Sequence, residues 1–292
     1  MNVVLYHANC ADGFCAAYYM WKMLSSGVFI PMQYSMPVPS DQLTEKDTVY
    51  LVDFSFKRED MHLLASKVDH VIVLDHHKTA EAELKDLTID NIEVYFDMRR
   101  SGAALAYDYC MAIRRGSLGT GIPDYDKPAL VRYVQDRDLW TFALHYSREI
   151  SAYIKIKTFR FGTWDELEEE LEHSLMSCVI KGEAILAFQQ RQVEQSANAA
   201  TVKAFPLQPN QDPIDVIWAP IVNATNNLSE IGDALCLDGH EMAVCWFMRK
   251  DGKYQYSLRS RGEFDVSEIA KAWGGGGHKN AAGFESDYLV FE

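Results

Sequence analysis

The sequence lacks the features that would place it in several common classes. It has no CxxC pair. Its six cysteines, at positions 10, 15, 110, 178, 236 and 245, are scattered, which argues against a zinc ribbon. No run approaches the roughly 20 apolar residues of a bilayer span, so no membrane association is expected. The opening Met1-Asn-Val-Val-Leu-Tyr has no basic stretch and runs directly into a strand-like pattern. No leader is read, and a cytoplasmic protein with reduced thiols is expected. Basic residues are the scarcer charge: 28 Lys and Arg stand against 42 Asp and Glu, a net charge of −14. Long duplex DNA needs a broad basic footprint, so it is excluded as a partner. There is no internal repeat, and the one biased tract is four glycines, Gly274 to Gly277.

What is present is ample for folding. Hydrophobic residues make up 48% of the 292 positions and aromatic residues 12%, which excludes disorder for most of the chain. The length favours two domains. Apolar runs at 2–6, 48–54, 70–74 and 92–96 read as buried strands, and helical spacing at 12–24, 57–68 and 101–113 alternates with them. That alternation predicts βαβ units and a parallel sheet. Residues 115–123 read as a surface loop, and 128 to about 200 as mostly helix. Three prolines mark a linker at about 201–213. Strands then follow at 214–219, 242–247, 254–259 and 288–291, with helices at 228–236 and 265–273. The expected fold is α/β: a parallel-sheet domain over 1–200 and a smaller α+β domain over 214–292.

Three predicted parallel strands end in acids or imidazoles. They run into His7 and Asp12, into Asp53, and into Asp75-His76-His77. Ligands of open α/β sheets bind beyond those carboxyl ends. Crowded carboxylates repel unless a cation intervenes. Oxygen and imidazole donors suit Mn²⁺ or Mg²⁺, and one Asp can bridge two such ions. Asp136 and Asp138 offer a further ligand ahead of Trp140. Downstream, the glycines with His278 and Lys279 form a flexible backbone segment able to approach an anion. A short helix is expected from Asn280, and Arg259 and Arg261 close a strand with guanidinium groups suited to phosphate.

Asp75-His76-His77, taken with His7, Asp12-Gly13 and Asp53, resembles the DHH phosphoesterase superfamily. The Gly274–His278 run with Arg259 resembles its substrate-binding DHHA1 domain. The resemblance covers nearly the whole chain and includes nanoRNases and other oligonucleotide phosphodiesterases. It implies one or two Mn²⁺ or Mg²⁺ ions. His7 would bind the first, Asp53 would bridge, and Asp12 and His76 would bind the second. Asp136 is preferred over Asp138 as the last ligand. His77 would contact the phosphoryl or leaving oxygen, and Asp75 would orient His76. Arg259, Gly275, Gly276, Gly277, His278 and Lys279 would hold substrate. One position departs from the family pattern: Cys10 stands where an aspartate is usual, and a thiol suits Fe²⁺ or Zn²⁺ better than a hard ion.

The expected activity is metal-dependent hydrolysis of short oligonucleotides or of linear or cyclic dinucleotides by metal-activated water. The alternatives are a phosphomonoesterase acting on a nucleotide bisphosphate and a non-catalytic nucleotide-binding protein. A homodimer is left open.

Overall fold

A computed structural model describes residues 1–24, 26–34, 36–116, 122–209 and 215–291. The chain divides into two compact units, Met1–Leu186 and Ala187–Glu292. The first holds a five-stranded parallel sheet of β1 (Asn2–His7), β2 (Val28–Met32), β3 (Thr48–Val52), β4 (His70–Asp75) and β5 (Ile92–Phe96), in the order β2-β1-β3-β4-β5. From β1 the chain goes first to the neighbour on one side, β2, and then to the one on the other, β3. The topological switch therefore lies between β1 and β3, where such sheets bind ligands.

Period-two alternation explains the layering. Val4, Tyr50, Val52, Ile72 and Leu74 face one core with α1 (Ala11–Met23), α4 (Gly102–Arg115) and α5 (Ala129–Asp138). Val3, Leu5, Val49, Leu51, Val71 and Val73 face the other with Met61 and Leu64 of α2 (Arg58–Ala65). A short α3 (Lys78–Leu84) follows β4. The helical stretch resolves further into α6 (Ser147–Lys155), α7 (Phe161–His173) and α8 (Leu175–Asn198). Ser101 caps α4, its Oγ accepting from Ala104 N at 3.3 Å.

The second unit is a six-stranded mixed sheet ordered β10-β11-β9-β8-β7-β6. Its strands are β6 (Thr201–Pro206), β7 (Val216–Asn223), β8 (Met242–Met248), β9 (Tyr254–Ser260), β10 (Gly276–His278) and β11 (Ala281–Ser286). Only β7 and β8 pair in parallel among the described residues. Ala243 and Cys245 pack against α9 (Leu228–Leu237). Met242 and Val244 share the opposite core with α10 (Val266–Ala272).

Three local readings change. The stretch read as a linker begins with β6, whose ladder to β7 takes up its backbone groups; residues 210–214, the rest of that stretch and the start of the strand read from 214, lie outside the described residues. The same holds for 117–121 of the expected surface loop. The expected strand at 288–291 is not one: Val290 and Phe291 are apolar because they are buried in the second core. No helix starts at Asn280. The chain turns there into β11, where Ala282, Phe284 and Ser286 alternate inward.

Candidate metal centre

The first unit gathers its acids and imidazoles at the carboxyl edge of the parallel sheet. His7 ends β1, and Asp12 lies in the first turn of α1. A Cβ at Gly13 would lie 2.3 Å from the His7 carbonyl oxygen, so only glycine lets α1 start this close to the strand end. Asp53 follows β3 with φ of 52°, a left-handed conformation costly for a residue with a Cβ. Strain of this kind collects at functional sites. Its amide donates to Leu74 O at 2.9 Å, which fixes it against β4.

Asp12 is held by helix α4. Its Oδ2 accepts from Gly102 N at 2.6 Å and its Oδ1 from Ala103 N at 3.0 Å. The amides at a helix start favour negative charge. A Cβ on Gly102 would come within 2.4 Å of Asp53 Cβ and 2.9 Å of Asp12 Oδ2. Gly102 therefore permits the two acids to approach each other. Sequence reading missed it; the signal was a glycine at the first position of a helix, where capping alone does not call for one.

Two groups of donors result, His7, Asp53 and His77 in one and Asp12, His76 and Asp138 in the other, with the donor atoms of each within 4.8 Å of one another. Asp53 joins them. Its Oδ2 lies 3.4 Å from His7 Nδ1 and its Oδ1 3.1 Å from His76 Nε2. His76 Nε2 is also 3.6 Å from Asp12 Oδ2 and 3.5 Å from Asp138 Oδ2.

The electrostatics favour positive charge among these acids. Burial pushes the Asp12 carboxyl well up, and the charges of Asp138 and Asp53 push it further. Asp138 is raised by burial and by Asp53, against the pull of His76. Burial works against charge on Asp53 too, yet contacts with His7 and His76 hold it well below the usual carboxylate range. Both imidazoles are raised in return: burial opposes this, but Asp53 with Cys10 outweighs it for His7, and Asp138, Asp53 and Asp12 outweigh it for His76. The Asp138 Oδ2 atom is buried and accepts no hydrogen bond among the described residues. Hard donors and a buried, uncommitted carboxylate oxygen fit a Mn²⁺- or Mg²⁺-type ion.

Two assignments are corrected. Asp136 does not face this cluster. Its Oδ1 accepts from Thr141 Oγ1 at 2.5 Å and Ala143 N at 2.8 Å, and its Oδ2 from Leu144 N at 3.1 Å. It ties down the loop after α5, and Asp138 is the aspartate of the pair that lies with Asp12 and His76. Asp75 does not orient the His76 ring. Its Oδ1 accepts from His77 Nδ1 at 2.7 Å and from the amides of His76 and His77 at 2.7 and 3.2 Å. It shapes the turn and fixes the His77 imidazole. Cys10 is partly buried, and its thiol is pushed up by burial against a contact with His7.

In the second unit, strand register places Arg259 and His278 on either side of Ala281, in one row across β9, β11 and β10. The guanidinium of Arg259 donates to Ser229 Oγ at 2.6 Å and Ser257 Oγ at 3.0 Å. Lys279 Nζ pairs with Glu263 at 2.7 Å. The glycine run is not an open anion loop. Gly274 and Gly275 amides donate to Lys271 and Ala270 carbonyls and close α10. A Cβ on Gly275 or Gly277 would strike Gly283 O at 2.1 Å or Ala281 O at 2.6 Å. These glycines let β10 lie flat on β11.

Comparison with known proteins agrees with this layout. The profile of the DHH family, N-terminal domain, matches residues 2–130, and that of the DHHA1 domain matches residues 223–289. An uncharacterized protein of Acanthamoeba polyphaga mimivirus is 28% identical over 304 residues, spanning 97% of this chain and 67% of its own. Oligoribonuclease NrnB of Bacillus subtilis (strain 168) is 24% identical over 281 residues, spanning 91% of this chain and 66% of its own. The chain thus spans about two thirds of the length of these relatives. The structure of RecJ in complex with Mn²⁺ from Thermus thermophilus matches with a TM-score of 0.51 at 18% identity, over 98% of this chain and 49% of that one, and shares the fold.

Proposed function

Because the chain belongs to the DHH family of phosphoesterases and carries a DHHA1 domain behind the DHH domain, we propose that it is a divalent-metal-dependent phosphodiesterase acting on short oligonucleotides or dinucleotides. The observation that carries this reading is the pair of three-residue donor groups joined through Asp53. Mn²⁺ or Mg²⁺ held there would polarise a phosphoryl oxygen and activate water for attack on phosphorus. His7 and Asp53 hold one position; Asp12, His76 and Asp138 hold the other. His77, with Nδ1 engaged by Asp75, presents Nε2 to a phosphoryl or leaving oxygen. Arg259 and His278, in one row of the second unit's sheet, bind a substrate phosphate.

Short substrates are favoured because the net charge of −14 repels a long polyanion. The name of the Bacillus relative, an oligoribonuclease, points the same way. The test is a matrix of metals against dinucleotides, short oligomers and nucleotide bisphosphates. Release of mononucleotides in the presence of Mn²⁺ or Mg²⁺, abolished in Asp53→Asn with the fold intact, is the expected result. Release of orthophosphate from bisphosphates alone would replace the reading with a phosphomonoesterase, and tight binding without turnover would replace it with a nucleotide-binding protein.

A further inference from the structure

One aromatic residue packs against the donor groups. Tyr34 lies two residues beyond β2, the strand beside β1, whose backbone is pinned to the site by Ala8 N donating to Met32 O at 2.8 Å. Its ring packs against His7 at a centroid distance of 5.5 Å and against His77 at 5.9 Å, edge-on. It also meets Phe54, the residue after Asp53, at 5.2 Å. Tyr34 therefore rests on all three arms of one donor group: His7, His77 and the backbone segment of Asp53. Yet it is 55% exposed.

A residue that merely propped up the histidines would be buried as Phe54 is, whereas more than half of Tyr34 is exposed. Phe54, fully buried beneath it, already fills that packing role. An exposed aromatic residue held against site residues is placed to stack a planar ligand. Stacking on an aromatic side chain accepts every base, because each has a π-face. We propose that Tyr34 is the base-stacking residue of this centre: its ring binds the nucleobase next to the phosphate under attack without reading base identity. This rests on the phosphodiesterase reading for its substrate class, but the stacking itself is a binding property.

The experiment uses the full chain as wild type, Tyr34→Phe and Tyr34→Leu. Equilibrium binding and steady-state kinetics are measured with Mn²⁺ on one dinucleotide and on its two singly abasic forms, and Mn²⁺ affinity is measured alone by calorimetry. Tyr34→Leu should weaken dinucleotide binding and raise KM by about 5- to 150-fold, with kcat and Mn²⁺ affinity unchanged. Tyr34→Phe should stay within about twofold of wild type. The penalty of Tyr34→Leu should vanish on one abasic form. An equal penalty on all three ligands, loss in Tyr34→Phe as large as in Tyr34→Leu, or a fall in Mn²⁺ affinity overturns the proposal. If wild type binds the dinucleotide in this Tyr34-dependent way but releases no mononucleotide, the phosphodiesterase reading fails and the stacking role stands. If it does not bind the dinucleotide, both fail.

Discussion

Asp136 and Asp138 show how much chemistry is decided by two positions on one helix. Two residues turn about 200° around an α-helix, so the carboxylates at the end of α5 point to opposite sides. One enters the donor cluster and the other closes the following loop. Spacing to Trp140 could not decide which was which; the helix phase does. The consequence is a separable pair of variants. Asp138→Asn should remove most of the metal-supported turnover and weaken Mn²⁺ binding while the melting temperature stays near wild type. Asp136→Asn should do the reverse: a loss of stability of about 1–3 kcal/mol from the broken charge-assisted bonds, with residual Mn²⁺ binding. Thermal melts and calorimetric Mn²⁺ titrations on the two proteins check this, and reversed outcomes would return the ligand role to Asp136. Asp75 gives a second residue-scale expectation. Because its carboxylate fixes the His77 ring and not that of His76, Asp75→Asn should lower kcat more than it lowers metal affinity.

Whole elements were most legible in the sequence where an unbroken apolar run forms the strand. The inner strands β1, β3 and β4 carry unbroken apolar runs and were read directly. The inner strand β11 was missed because its Ala281-Ala282-Gly283 start carries little strand signal, and the edge strand β5 was read; the other missed strands, β2, β6 and β10, lie at an edge of their sheet. There one side of the ladder is open, and Pro31, Pro206 and the glycines are tolerated. The clustered Asp and His residues were legible because strands deliver them at their tips. Gly102 was not, because its need arises from contact between Asp12 and Asp53, which are far apart in sequence. Gly102→Ala should therefore depress Mn²⁺ affinity and turnover together, even though alanine is the better helix former; a fully active variant would show that the acids need no such clearance. Helices α6, α7 and α8 are tied by Glu170, which accepts from Tyr153 Oη at 2.7 Å and pairs with Lys157 at 3.2 Å and Lys181 at 3.3 Å. The Tyr153 hydroxyl, with both lysines and against a smaller burial effect, lowers the Glu170 carboxyl below its ordinary value. A depressed folded value means that the stabilisation is present above the unfolded value, about 4.3, and fades as pH falls through the folded one. Glu170→Gln should cost under about 1 kcal/mol at pH 7, since the group is partly solvated. The difference from wild type in melting temperature should close below about pH 4.

At the scale of the whole molecule, charge and chemistry pull in opposite directions. In the proposed reaction the centre takes phosphodiesters, which are anions, but the protein carries a net charge of −14. A divalent cation resolves the conflict locally for one phosphate. It does not help the rest of a long strand, whose further phosphates would meet the protein's net negative charge. Selection for short substrates then needs no steric stop, because each added phosphate outside the centre adds repulsion. Such repulsion is screened over about 10 Å at 0.1 M salt, which gives the selection a signature that a steric stop would lack. The kcat/KM for a 20-mer relative to a dinucleotide should rise as monovalent salt increases from about 20 to 300 mM. The ratio staying flat would assign the preference to the shape of the binding surface. A ratio falling with salt would indicate a basic track for long strands, and would remove charge as the reason for preferring short ones.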